Sequence, residues 1–248
     1  MKANTPKNGT QTIFGTSGEV LHNGGWNSKE IFKAVTGGDE SYWSGRRVLD
    51  IGANTSGLSV EIARRGADVL AIEPDPYKNI KTPEVLETLS TVISQESLNL
   101  EIASYGLFDA HKLGRFDTVM CLGLVYHFRD QQFVVDYLST VDTCDLIVSN
   151  QTHGTDKLAM YNRLEPEVGL PKSFWANYHE PLSGWHPTRP MFERMLQFGG
   201  FTDIVALTDE SVDFPEKPFP GVTNSAYYRA TKQREIDPIA SRYQYLPR

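Results

Sequence analysis

The run Val48-Leu49-Asp50-Ile51-Gly52-Ala53-Asn54-Thr55-Ser56-Gly57 joins an apolar segment to a glycine-containing turn and leads into Leu58-Ser59-Val60-Glu61-Ile62. Arg47 to Ile51 is a short, β-branched apolar stretch, the signature of a buried strand. Ser56 to Arg65 reads as a helix, with Leu58 and Ile62 on one face. A strand, a glycine turn and a helix in that order form a nucleotide-binding device. The turn lets backbone approach a ligand, and an acidic residue at the end of the next strand receives ribose hydroxyls. Asp68 to Ile72 supplies the next strand, and Glu73 stands at its end.

Outward from this unit the alternation continues. A polar helical stretch runs roughly from Glu84 to Ser94, Phe116 to Leu122 is another apolar strand, Asp130 to Val141 a helix, and Asp145 to Ser149 a strand. Such alternation predicts βαβ units and a parallel sheet. Upstream, Asn27 is placed to cap a helix with Glu30 three residues on, Ile31, Phe32 and Val35 form its apolar face, and Gly37-Gly38 ends it. Residues 1–25 are polar and glycine-rich and read as an arm able to close on a ligand. Residues 151–187 break the rhythm with Gly, Pro and aromatics, and an irregular connection of that length is more often functional than decorative. Thr188 then caps a helix whose Met191, Met195 and Phe198, with Phe192 and Leu196, are expected to face the core. Gly199-Gly200 ends it, and 202–207 and 225–231 read as the last two strands. The expectation is an α/β, Rossmann-like three-layer sandwich. It has a mostly parallel seven-stranded sheet with an antiparallel edge strand, and a single domain spans residues 1–248.

The 248 residues are 40% hydrophobic, enough for one buried core. Lys and Arg number 24 against 31 Asp and Glu, a formal charge of −7. That balance repels phosphate backbones, so nucleic acid is a disfavoured partner. The two cysteines, Cys121 and Cys144, have neither CxxC nor metal-type spacing and are read as reduced and structural. Residues 1–6 lack the apolar run of a signal peptide, and no apolar run approaches spanning length, so the expected location is the cytoplasm. No membrane partner is expected.

The turn discriminates between cofactors. A dinucleotide needs Gly-x-Gly-x-x-Gly to admit pyrophosphate at the helix N-terminus. Here Asn54 and Ser56 stand where an all-glycine turn would be wanted, and Asp50 precedes the first glycine. A carboxylate there repels pyrophosphate but suits the cationic amino group of a methionine moiety. Asp-x-Gly therefore favours S-adenosyl-L-methionine (SAM) over NAD.

Asp50-Ile51-Gly52-Ala53-Asn54-Thr55-Ser56-Gly57 resembles motif I of the class I SAM-dependent methyltransferases. Glu73-Pro74-Asp75 resembles their acidic ribose-binding position and its follower, and Asp109-Ala110 the acidic pair that contacts adenine. Phe116-Asp117-Thr118-Val119 through Gly123-Leu124-Val125-Tyr126-His127 is similar to their fourth-strand motif. Order and spacing agree over about residues 46–150. Within the class, Gly123 to His127 and Gly184-Trp185-His186-Pro187 resemble the group containing the wobble-uridine carboxymethyltransferase of tRNA, whereas the Gly-Ala-Asn wording also occurs in FkbM-type O-methyltransferases.

The resemblance implies a SAM site formed by Asp50, Gly52, Ala53, Asn54, Glu73, Pro74, Asp109 and Ala110, with backbone from Cys121 and Leu122. Tyr126 and His127 follow the fourth strand, where ligands bind in such sheets, and His127 is the candidate general base. Trp175, Tyr178, Trp185, His186 and Arg189 are the candidate substrate residues. Asp117 is read as holding strand geometry. His127, His153, His179 and His186 share no metal-type spacing, so no metal is expected. The expected reaction is methyl transfer to a small-molecule or sugar acceptor at oxygen. The alternatives are methyl or carboxymethyl transfer to tRNA, with Arg189 or Arg163 holding the extra carboxylate, and a non-catalytic SAM-fold binding module.

Overall fold

The computed structural model describes residues 7–74, 82–153, 157–162, 185–207 and 222–233. The elements along the chain are β1 (Lys7–Gln11), β2 (Ile13–Phe14), β3 (Val20–His22), β4 (Gly24–Trp26), α1 (Ser28–Thr36), β5 (Arg47–Ile51), α2 (Gly57–Ala63), β6 (Asp68–Ile72), α3 (Pro83–Glu96), β7 (Leu100–Ala103), β8 (Phe116–Cys121), α4 (Gln131–Leu138), β9 (Thr143–His153), β10 (Met160–Asn162), β11 (Trp185–Pro187), α5 (Arg189–Phe198), β12 (Phe201–Ala206) and β13 (Val222–Lys232). One seven-stranded sheet has the order β12-β13-β9-β8-β5-β6-β7. It is mostly parallel, and the strand that runs against its neighbours is β13, one place in from the edge, antiparallel to both β12 and β9. The chain divides into two compact units, residues 1–120 and 121–248.

In the first unit the parallel register brings strand ends level. Ile51 lies opposite Ile72, and Ile72 opposite Ala103. Beyond the ladder, Gly52 and Ala53 both donate their N–H to the Ile72 carbonyl at 2.9 and 3.0 Å, and Glu73 N–H donates to Ala103. Every residue of α2 is buried, so its polar members are tied down. Asp50 at 3% exposure accepts from the Ser59 hydroxyl at 2.6 Å. Asp117 accepts the Arg47 N–H at 2.9 Å, which joins β8 to β5 as expected of it. Asn27 caps α1, its side chain accepting from Lys29 and Glu30 N–H, and Gly37 leaves the helix at φ 60°.

Residues 7–26 are not an irregular arm. They form four short strands, β1 pairing parallel with β4 and β2 antiparallel with β3. Along this stretch Thr10, Gln11, Thr12, Ile13, Gly15 and Gly24 are buried, and only Ile13 carries a large apolar side chain, so no apolar period marks it. Strand β7 is also absent from the expectation. Only Leu100 of its four residues is buried, as suits an edge strand with little apolar patterning.

The second unit contains β9, β13 and β12, with α4 and α5. Asp130 caps α4 by accepting from Phe133 N–H, and Thr188 caps α5 by accepting from Met191 N–H. The core face of α5 is Phe192, Met195 and Leu196, whereas Phe198, expected inside, is 57% exposed. Residues 192, 195, 196 and 199 form the stripe at 3.6 residues per turn, and 198 falls beside it. Gly199 takes the next core place, where a side chain would press on Val135 Cγ1 at 2.6 Å. Among the described residues no helix is long and apolar enough to cross a membrane.

Candidate cofactor site

The loop after β5 turns on three residues with left-handed backbone, Gly52 at φ 71°, Asn54 at 55° and Ser56 at 59°. Glycine adopts such angles at no steric cost. Asparagine does so at a modest cost that side-chain hydrogen bonds can offset. Asn54 makes those bonds. Its Oδ1 accepts from Gln11 N–H at 3.0 Å and Thr55 N–H at 2.8 Å, and its Nδ2 donates to the Gly9 carbonyl at 2.9 Å. Its backbone N–H donates to Glu73 Oε2 at 2.8 Å. Glu73 is 8% exposed and Asn54 8%, so these bonds are made largely out of water.

The arm reaches the same loop. Thr55 Oγ1 accepts from Gln11 N–H at 2.9 Å and donates to the Gln11 carbonyl at 2.8 Å. The Gln11 side chain accepts from Leu58 N–H at 2.8 Å, in the first turn of α2. At Gly57 a side chain would overlap the Thr12 carbonyl oxygen, so the arm lies directly on the start of α2. At the other end of α2, Arg64 donates to the Phe14 carbonyl at 2.8 Å, to Glu61 at 2.7 Å and to both oxygens of Glu96. The Glu96 hydrogen bond is the main cause of the raised Arg64 pKa, with Glu61 adding to it against burial.

Of the remaining expected residues in this unit, Ala53 and Ala110 are fully buried and Pro74 is half-buried; Asp75 lies outside the described residues. Asp109 is half-exposed. Its Oδ2 accepts the Gly106 N–H at 3.1 Å, and this bond, followed by Lys112 at 3.4 Å, lowers the carboxyl below the ordinary range.

In the second unit, Cys121 is buried and Leu122 half-buried. Gly123 has φ 65° and donates to Ser149 Oγ at 2.9 Å. Tyr126 is 4% exposed, in a 3-10 turn over Val125–His127, and its ring lies 4.3 Å from that of His127. His127 is exposed. His186 is 1% exposed in β11, opposite Tyr161 of β10, and the backbone of Trp185 is opposite Asn162. Arg189 is half-buried at the start of α5. Trp175, Tyr178, Arg163 and His179 lie outside the described residues. Sequence reasoning did not single out Asn150, buried with Nδ2 donating to Gln131 Oε1 at 2.9 Å, or Gln11. The only sequence signal for Gln11 was the short Thr10-Gln11-Thr12 β-type run.

The residues of the first unit fit a nucleoside without a pyrophosphate. A buried carboxylate stands at the end of β6, where a ribose diol is read. The first turn of α2, where a pyrophosphate would sit, is filled by the Gln11 side chain and the Thr12 carbonyl.

The chain has the fold of the class I SAM-dependent methyltransferases. The N-terminal domain of EvdMO1, solved with S-adenosylhomocysteine (SAH) and D-fucose, is similar at a TM-score of 0.60 and 20% identity, over 91% of this chain and 92% of that one. A Burkholderia thailandensis 1,6-didemethyltoxoflavin-N1-methyltransferase with bound S-adenosylhomocysteine has a TM-score of 0.57 at 14% identity, over 84% and 80%. The ubiquinone biosynthesis O-methyltransferase of Psychrobacter cryohalolentis is 32% identical over 93 residues, 38% of this chain, and that of Psychrobacter arcticus matches equally. The chain spans about a third of the length of these relatives, 35% of each. No family model matches the chain.

Proposed function

We propose that this protein is a SAM-dependent methyltransferase whose acceptor is a small molecule or sugar methylated at oxygen. The observation that carries the reading is the Glu73 carboxylate, held at the end of β6 by the Asn54 N–H at 2.8 Å beside a loop built on positive φ. Glu73 is assigned the ribose hydroxyls, and Gly52 and Ala53 the close backbone approach. Asp50, tied to Ser59, is assigned the electrostatic pull on a cationic amino group. Asp109 and Ala110 are assigned the adenine side, and Cys121 and Leu122 further backbone contacts.

SAM supplies an already activated methyl on a sulfonium, so the protein must align the nucleophile, exclude water and accept a proton. His127 is assigned that last role, with Tyr126 packed against its ring. His186, Arg189, Trp185, Trp175 and Tyr178 are assigned to the acceptor. Two likenesses support oxygen and a sugar-sized acceptor: the O-methyltransferase relatives and the D-fucose with EvdMO1. The charge of −7 supports a small molecule over tRNA.

Calorimetry with SAM and SAH tests the reading. Both should bind, and Glu73→Ala should weaken binding by roughly 1–3 kcal/mol through loss of charged hydrogen bonds. Glu73→Gln, whose amide oxygen can still accept the Asn54 N–H, separates ribose binding from loop support and should weaken binding almost as much. Tight binding of NAD with none of SAM or SAH overturns the proposal.

A further inference from the structure

Asn54 stands where glycine would satisfy the φ of 55° without strain, yet its backbone N–H, Oδ1 and Nδ2 are all used. The backbone N–H faces Glu73. The side chain holds β1 at two points, Gln11 N–H at 3.0 Å and the Gly9 carbonyl at 2.9 Å. The next residue repeats the grip, since Thr55 Oγ1 bonds both the N–H and the carbonyl of Gln11. The loop that carries the Glu73 anchor is therefore the loop to which the N-terminal strand is fastened. A shift of the Asn54 peptide that loosens one end changes the geometry of the other.

We propose that Asn54 is a positioning residue that couples nucleoside binding at Glu73 to the docking of β1, so that each favours the other. This rests on the cofactor reading above. Coupling of two events through a shared element is reciprocal: if docking of β1 raises affinity, bound ligand must protect β1 by the same factor. The Asn54 side chain faces Gly9, Gln11 and Thr55 and its backbone N–H faces Glu73, so a change of the side chain reaches the Glu73 anchor through the loop.

The test uses the full chain and SAH as probe, with calorimetry for affinity and hydrogen exchange at the Gln11 amide for docking. In the wild type, saturating SAH should slow Gln11 exchange by about tenfold, within the usual range of coupling factors. Asn54→Gly should raise the Kd for SAH by about the same factor and abolish the dependence of Gln11 exchange on SAH. A residue with only a structural role would speed exchange while leaving the SAH-dependent ratio intact, which overturns the proposal. Thr55→Val loosens β1 without touching the Glu73 anchor, and should also weaken SAH, by about threefold; an unchanged affinity in that variant overturns the coupling even if Asn54→Gly fails to fold. If the wild type binds SAH with no change in Gln11 exchange, the coupling is wrong and the cofactor reading stands. If it binds no SAH, both fall.

Discussion

Gly57→Ala sets two effects of opposite sign against each other. Gly57 opens α2 with ordinary helical backbone, and alanine in a helix is favoured over glycine by up to about 1 kcal/mol. Propensity alone therefore predicts a more stable protein. The structure predicts the reverse. The new methyl would overlap the Thr12 carbonyl oxygen and lie 3.1 Å from the Thr12 carbonyl carbon and 3.2 Å from Ser28 Cβ. Backbone cannot rotate out of the way as a flexible side chain can. If the arm holds its place, the strain is of the overpacking kind, about 1–3 kcal/mol. If the arm lifts, the Gln11 bonds to Thr55 Oγ1, Asn54 Oδ1 and Leu58 N–H are given up, at about 1 kcal/mol each. Set against the helix gain, strain leaves a net loss of up to about 2 kcal/mol and lifting leaves about 2 kcal/mol, the latter worth about 4–8 °C in Tm for a chain of this length. Urea denaturation measures the loss, and hydrogen exchange at Gln11 tells strain from lifting. A Gly57→Ala protein as stable as the wild type, with an unaltered Gln11 amide, would refute the reasoning that the arm presses on α2.

His127→Ala should lower turnover by about 10²–10⁴-fold with SAM affinity nearly constant, and His127→Gln should not restore it, because an amide cannot take the proton; a fully active His127→Gln enzyme removes the base. Burial raises the Tyr227 phenol from 10.0 to about 12. The buried neutral form thus contributes stability that is whole below the unfolded pKa of about 10 and is lost as pH rises from there toward about 12. Unfolding free energies measured at pH 9 to 11 should fall less steeply for Tyr227→Phe, and parallel slopes would show that the phenol is not buried in solution.

The β5 strand, its turn, α2 and β6 were legible because each signal is local. Mostly apolar five-residue runs, Arg47–Ile51 and Asp68–Ile72, mark the strands, and Glu73 follows its strand directly. Caps at Asn27 and Thr188 were legible for the same reason, since one polar side chain serves backbone two or three residues on. The helical phase of α5 was misjudged at Phe198 because five apolar residues in eight leave room for more than one stripe, and only the packing of Gly199 on Val135 selects among them. Strand β7, with one buried residue, carries too little pattern to stand out from its surroundings.

The arm was illegible for a deeper reason. Its order comes from hydrogen bonds to residues more than forty places away, such as Gln11 to Asn54, Thr55 and Leu58. Polar side chains that bury by bonding to distant backbone leave no hydrophobic period behind them, and a glycine-rich polar run reads as loop. The trace they do leave is indirect. Asn54 and Ser56 stand at left-handed backbone positions where glycine would be easier. Read as a weakened nucleotide loop, those two residues count against the site. At Asn54 the departure is the mark of the partner segment, because a residue that takes the cost of φ 55° needs compensating bonds, and the bonds lead to Gly9 and Gln11. A non-glycine residue in such a turn is thus a prompt to search the rest of the chain for the strand that it holds.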